Sequence, residues 1–176
     1  MLSEINVVLS SFFDICRFRK NPQDLPKSYE LLFLSIIGYM LASALLAMLS
    51  AQLVYATLAG IVEALLVMLF TFGLLQIVNK TERWSQTVTA LSGTGIIISL
   101  IAFPLYYFGT IGNQGGFGQM IGLLSLIVLI IWNIAIMAHI FRHALQTTIG
   151  FGVAIAISYV WIISNFIAIL LPGKVS

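Results

Sequence analysis

The sequence predicts an all-α, polytopic membrane bundle of about five transmembrane helices, preceded by an N-terminal amphipathic helix at the membrane interface. Three observations predict it. The chain is 60% hydrophobic and only 8% charged, with a mean hydropathy of +1.08. Soluble domains carry roughly 25% charged residues, because a surface needs charge to meet water. Five apolar runs each reach the about 20 residues that a helix needs to cross the hydrocarbon core. The charged residues, finally, gather between those runs rather than inside them.

Residues 1–28 form the first piece. Ile5, Val8, Leu9, Phe12, Ile15 and Cys16 recur at helical spacing, while Glu4, Asn6, Ser10, Ser11, Asp14 and Arg17 fall mostly elsewhere around the helix. Such a helix lies on the cytoplasmic surface with its apolar face on lipid, or packs on the ends of the spans. Arg17, Arg19 and Lys20 then stand near anionic headgroups. No basic stretch precedes the apolar residues and Glu4 sits where positive charge would be needed, so no secretory signal is expected. Asn21-Pro22 ends the helix, since proline disfavours the helical state in the residue before it.

Residues 29–176 form the transmembrane domain, with spans at about 30–50, 53–78, 84–108, 119–141 and 147–171. Ser50-Ala51-Gln52 must hold a tight hairpin, because the apolar run it interrupts is too long for a single crossing. The loop 109–118 has no charge and five glycines, and reads as a connector near the headgroups. A phosphate cradle would need a following Lys and Ser/Thr, and Gln119-Met120 follow instead.

Orientation comes from the positive-inside tendency. Arg17, Arg19, Lys20, Lys27, Lys80, Arg83 and Arg142, seven of the eight basic residues, agree with a cytoplasmic N-terminus, and only Lys174 falls outside. The odd number of spans puts the C-terminus on the opposite face.

Polar residues inside the spans are the candidates for chemistry. Glu63 lies near the middle of the second span with no Lys or Arg in any span to pair with it. An acid there costs at least about 2.5 kcal/mol on insertion scales and usually faces the bundle interior. The neutral acid is the expected form, with Tyr39, Ser99 and Tyr159 at a depth to hydrogen-bond it. Either it serves as a proton, cation or docking site, or it fixes helix packing. Asn133 and Asn165 are expected as buried amides bonding across helices.

His139 and His143 share a helix face at i and i+4, a spacing that suits a metal. The intervening Ile140-Phe141-Arg142 lacks a catalytic Glu, Arg142 repels a cation, and no third ligand exists. These histidines are read as interfacial, with no metal and no cofactor. Trp84, just after Lys80 and Arg83, is read as an interfacial anchor. Trp132 and Trp161 lie deeper, to pack inside or meet a partner. Tyr106 and Tyr107 fit the outer aromatic belt, and Pro104 is placed to kink the end of its span. Gly118 and Gly122, then Gly150, Ala154 and Ser158, allow close helix approach, inside the bundle or to a partner helix.

The turn Pro22-Gln23-Asp24-Leu25-Pro26, ending in Lys27-Ser28, follows a short amphipathic lead and precedes five tightly spaced spans. In this it resembles bacterial members of the Yip1-domain membrane family. The resemblance implies a five-span fold, with Pro22, Asp24, Leu25 and Pro26 as the family-like turn. It carries no trafficking role to this chain, which lacks the long N-terminal region of the eukaryotic relatives.

There is one cysteine, Cys16, so no intrachain disulfide forms. The net charge of +2 argues for no nucleic-acid partner. No Ser/His/Asp arrangement, surface carboxylate pair, CxxC or Walker motif is present, and no enzyme activity is expected. The first functional reading is a non-catalytic scaffold, assembly factor or accessory subunit in a bacterial inner membrane, with the lipid bilayer and other membrane proteins or itself as partners. The alternative is a small transporter or lipid-handling protein using Glu63.

Overall fold

Charge-free runs become helices because the bilayer leaves the backbone no other way to satisfy its hydrogen bonds. The computed structural model describes residues 2–111 and 116–170. Its helices are α1 (Leu2–Cys16), α2 (Tyr29–Ala47), α3 (Leu53–Ile77), α4 (Trp84–Tyr106), α5 (Phe117–Leu145) and α6 (Ile149–Leu170). From α2 to α6 each helix is long and apolar enough to cross a membrane, and the chain is a multi-pass membrane protein. Residues 112–115 of the Gly-rich loop, residue 171 and Lys174 lie outside the described residues, as do the side chains of 2–6.

The tight turn at 48–52 joins α2 to α3. The one large difference from the expected spans is α5, which continues past 141 to Leu145. Its last carbonyls are taken by cations and an amide from other elements. Lys80 Nζ donates to Leu145 O and to Gln146 Oε1, both at 2.8 Å. Arg83 reaches His143 O and Ala144 O at 3.4 Å, and Gln23 Nε2 donates to His143 O at 2.6 Å. Positive charge is favourable at a helix C-terminus, so these loop residues serve here as a cap.

α4 is the central staff, packed on α1, α2, α3 and α5, while α6 lies along α5 and touches α3. The five spans thus close a ring. Near the basic loops the ring is filled: residues 86–94 of α4 are buried without interruption, as are residues 136–141 of α5. α1 covers the face of α4 turned away from the ring and reaches α5, and of its two expected placements the packed one is found. Phe12, Ile15 and Cys16 are buried, and the Phe12 ring occupies the space that a side chain at Gly93 would need. Trp132 Nε1 donates to Cys16 O at 3.1 Å. Val7, Leu9 and Phe13 stay exposed on the other side of α1.

The chain then runs beside α5 towards its C-terminus. Phe18 adopts φ 61°, costly for an aromatic residue, and its ring meets His139 edge-on at 5.4 Å. In the turn, Asn21 N donates to Asp24 Oδ2 at 2.8 Å, and Leu25 is buried. Buried Gln86 clasps the turn from α4, donating to Gln23 O at 3.0 Å and Leu25 O at 2.6 Å. Pro22 is buried and Pro26 exposed, and the turn is held in place from α4. Ser28 Oγ caps α2 by accepting from Leu31 N at 3.3 Å.

α2 and α3 touch backbone to backbone at Gly60, where an added Cβ would collide with Met40 O and press on Ala44. Gly60→Val is expected to lower stability by about 1–3 kcal/mol through overpacking, read as a lower unfolding temperature in mild detergent. Gly73→Ala, with nothing within 4 Å of its new Cβ, should leave that temperature nearly unchanged.

Burial raises the Cys16 thiol from its ordinary value to about 11. Its thiolate is therefore scarce at neutral pH, and maleimide labelling of the folded protein should be slow and rise about tenfold per pH unit towards that value. Fast labelling at neutral pH would show that α1 does not stay packed.

Candidate functional site

Away from the basic loops the ring is not filled. A cavity of about 430 Å³ lies between the spans, with lining residues from all five. It runs from Ser50, exposed in the turn after α2, past Tyr106 and Ser164, to Glu63. Glu63 stands about ten residues along α3 from Leu53, about 15 Å of helix. Beyond it the cavity is closed by rings. Phe70 lies 5.0 Å from Tyr159 and 6.0 Å from Phe141, and Phe141 and Tyr159 are 6.4 Å apart, with Phe141 only 1% exposed.

The Glu63 carboxyl is answered from α2. Tyr39 Oη donates to Glu63 Oε2 at 3.3 Å, and Ser43 Oγ donates to the same oxygen. The contact at Gly60 makes this possible, since it sits one turn before Glu63 and lets α2 come close. Ser43 was not among the expected partners. Its signal was legible: it lies one turn after Tyr39, on the same face of α2. Tyr159 is buried near Tyr39 and Glu63, and its hydroxyl approaches Tyr39 without completing a well-formed hydrogen bond among the described residues. Ser99 and Thr94 line the cavity from α4, and Thr94 Oγ1 spends its proton on Ala90 O at 2.8 Å.

Other candidates fall in different places. Asn133 lines the cavity from α5 and makes no hydrogen bond among the described residues, so the cross-helix bond expected of it is not formed. Asn165 is exposed and donates to Trp161 O of its own helix at 2.7 Å, which corrects its reading as a buried cross-helix amide. On α6 the buried face is the one that carries Ile155, Ala156 and Tyr159, and this turns Asn165 outward. Gly122 packs against Gly109 inside the bundle, whereas Gly150, Ala154 and Ser158 lie on the exposed side of α6. Pro104 precedes a π-helical turn at Tyr107–Ile111 that ends α4.

At the opposite end, His139 is 9% exposed, buried under the 17–20 segment, and its Nε2 lies 3.1 Å from Lys20 O. The reason is tertiary: the chain after α1 covers that face of α5. His143 stacks beside it at 4.6 Å and is half-buried, while Arg142 is exposed. No group of three or more His, Cys, Asp or Glu that could hold a metal occurs among the described residues. Trp84 donates from Nε1 to Met68 O at 3.1 Å, and Trp161 is 67% exposed.

No family model, curated protein or solved structure matches the chain. What the cavity can do follows from its groups. It offers one carboxyl, hydroxyls, an amide and apolar walls, with no Lys, Arg or His among its lining residues. That set binds a proton, a cation or a hydrogen-bond donor, and contains no nucleophile with a base beside it.

Glu63→Gln keeps an acceptor for Tyr39 and Ser43 and should leave the unfolding temperature close to wild type. Glu63→Leu strands both donors and should cost about 1–3 kcal/mol for each. Equal unfolding temperatures for the two variants would show that these hydrogen bonds do not hold α2 to α3.

Proposed function

We propose that this chain is a non-catalytic membrane carrier, a small transporter or lipid-handling protein, that admits a small molecule to the central cavity and engages it through Glu63. One observation carries the reading: all five spans turn side chains into one open cavity that ends on the only mid-membrane acid. Pockets at helix interfaces with a few convergent polar groups are the usual form of small-molecule sites. An intramembrane carboxyl marks such sites more often than it marks packing.

The reading places the protein in a bacterial inner membrane with a cytoplasmic N-terminus. Support comes from the seven basic residues gathered at one end of the bundle. The cavity then opens away from the cytoplasm. Kinship with Yip1-domain proteins is part of the same proposal, supported by the five spans, the short leading helix and the turn at Pro22 to Pro26.

Cysteine accessibility tests it. Ser99→Cys in a Cys16→Ala background is expected to react with a membrane-impermeant thiol reagent added to intact spheroplasts. Lys27→Cys, exposed at the basic end, should react only after permeabilisation. An inert cysteine at 99, or labelling of 27 from outside, would overturn the outward-open reading.

A second reading, a scaffold or accessory subunit, is favoured by the outer side of α6. There Gly150, Ala154, Ser158, Trp161 and Asn165 are all exposed at helical spacing, and small and polar residues promote helix association in lipid. Purification in mild detergent should then retain a stoichiometric membrane protein that Ala154→Leu releases.

A further inference from the structure

The cavity's own chemistry narrows what can occupy it. We propose that its ligand is a monovalent organic cation, an amine or quaternary ammonium or phosphonium group on an apolar body, held by the Glu63 carboxylate. The proposal rests on the carrier reading above and adds the ligand class to it.

Sign comes first. Glu63 is the one acid among the lining residues, and no basic side chain lines the cavity to receive an anion. A bound anion would face a carboxyl with nothing to offset it, whereas a cation meets its counter-charge at the deep end. The low dielectric of the surroundings strengthens that pairing.

Size and wall chemistry come second. A bare metal ion needs a close cage of about six to eight oxygens. Here a single carboxyl faces a space of about 430 Å³, and no cluster of three metal-ligating residues occurs among the described residues. That volume lies in the range of small-molecule sites. Leu46, Val67, Leu91, Ile98, Leu129 and Met137 give the walls, which suit an apolar body rather than a hydrated ion. Tyr39 and Tyr159 stand near the carboxyl from α2 and α6, and tyrosine rings attract organic cations.

Two polar groups remain for the ligand's own substituents: the Tyr159 hydroxyl, which lies near Tyr39, and the Asn133 amide. Charge balance completes the account. The neutral acid carries one proton, and a cation that replaces it leaves the site with no net charge. Binding therefore releases one proton for each cation taken up, from the Glu63 carboxyl to the aqueous phase. The titratable groups facing Glu63 are Tyr39 from α2 and Tyr159 from α6, while α4 and α5 present Thr94, Ser99 and Asn133 to the cavity.

Equilibrium dialysis of the full-length protein in detergent tests this with tetraphenylphosphonium, and with tetraphenylborate as the anion of the same shape. Tetraphenylphosphonium should bind saturably, bind more tightly as pH rises and release protons to a weak buffer as it binds. Glu63→Gln should weaken binding at least about tenfold, because the counter-charge is lost. Glu63→Asp should retain part of it. Tetraphenylborate should not bind. Equal binding by the Gln variant, or binding of the borate, overturns the proposal. Absence of saturable cation binding, while the cysteine at 99 labels from outside, overturns the ligand class and leaves the carrier reading standing. If the cysteine is also inert, the carrier reading falls with it.

Discussion

A carboxyl group in the middle of a bilayer has no water to hydrate it, and Glu63 must find its hydrogen bonds within the bundle. They come from Tyr39 and Ser43, one turn apart on α2. For both to reach, α2 and α3 must approach to backbone contact, and Gly60 permits that approach by having no side chain to put against Met40 O. The short turn at 48–52 holds the two helices antiparallel at the spacing this demands. One polar interaction thus sets the pairing on which the rest of the ring closes.

The two ends of the ring differ for a reason that lies in three aromatic side chains. Five helices around a common axis leave a central gap unless something large enters it. At the basic end the gap is filled by the Phe70, Phe141 and Tyr159 rings, while α1 and the 22–25 turn cover α4 and α5 from outside the ring. At the other end nothing equivalent is present among the described residues, and the space remains as the cavity. The basic side chains share in the same arrangement. Lys80 and Arg83 bind the last carbonyls of α5, so charges that orient a chain in the membrane also lengthen a helix.

Most of the fold was legible, because membrane insertion reads composition and length before any tertiary contact forms. The span limits of α2, α3, α4 and α6 follow from apolar runs bounded by polar or Gly/Pro residues. Glu63 was visible for the same reason, as a charge where none is tolerated freely. Tyr39 and Tyr159 were in reach by depth alone. Ser43 was hidden, although its spacing from Tyr39 held the clue. Asn165 was misplaced because a hydropathy pattern gives depth but no azimuth. α5 and α6 are apolar on all sides, so no periodic stripe tells which face turns inward. The burial of His139 could not be read from its own helix, because it is the path of residues 17–20 that covers it.

The sequence by itself determined that this chain crosses the membrane five times, that its charges collect at one end and that one acid lies at mid-depth. Tertiary structure alone decided which side of each helix faces the centre, that α1 packs on α4 and that one half of the ring stays open above Glu63. The physical reason is that lipid and protein interior are about equally apolar. Transfer from water therefore drives the helices into the bilayer without choosing their rotation, and that choice falls to packing, to glycine contacts and to the few polar groups that must meet.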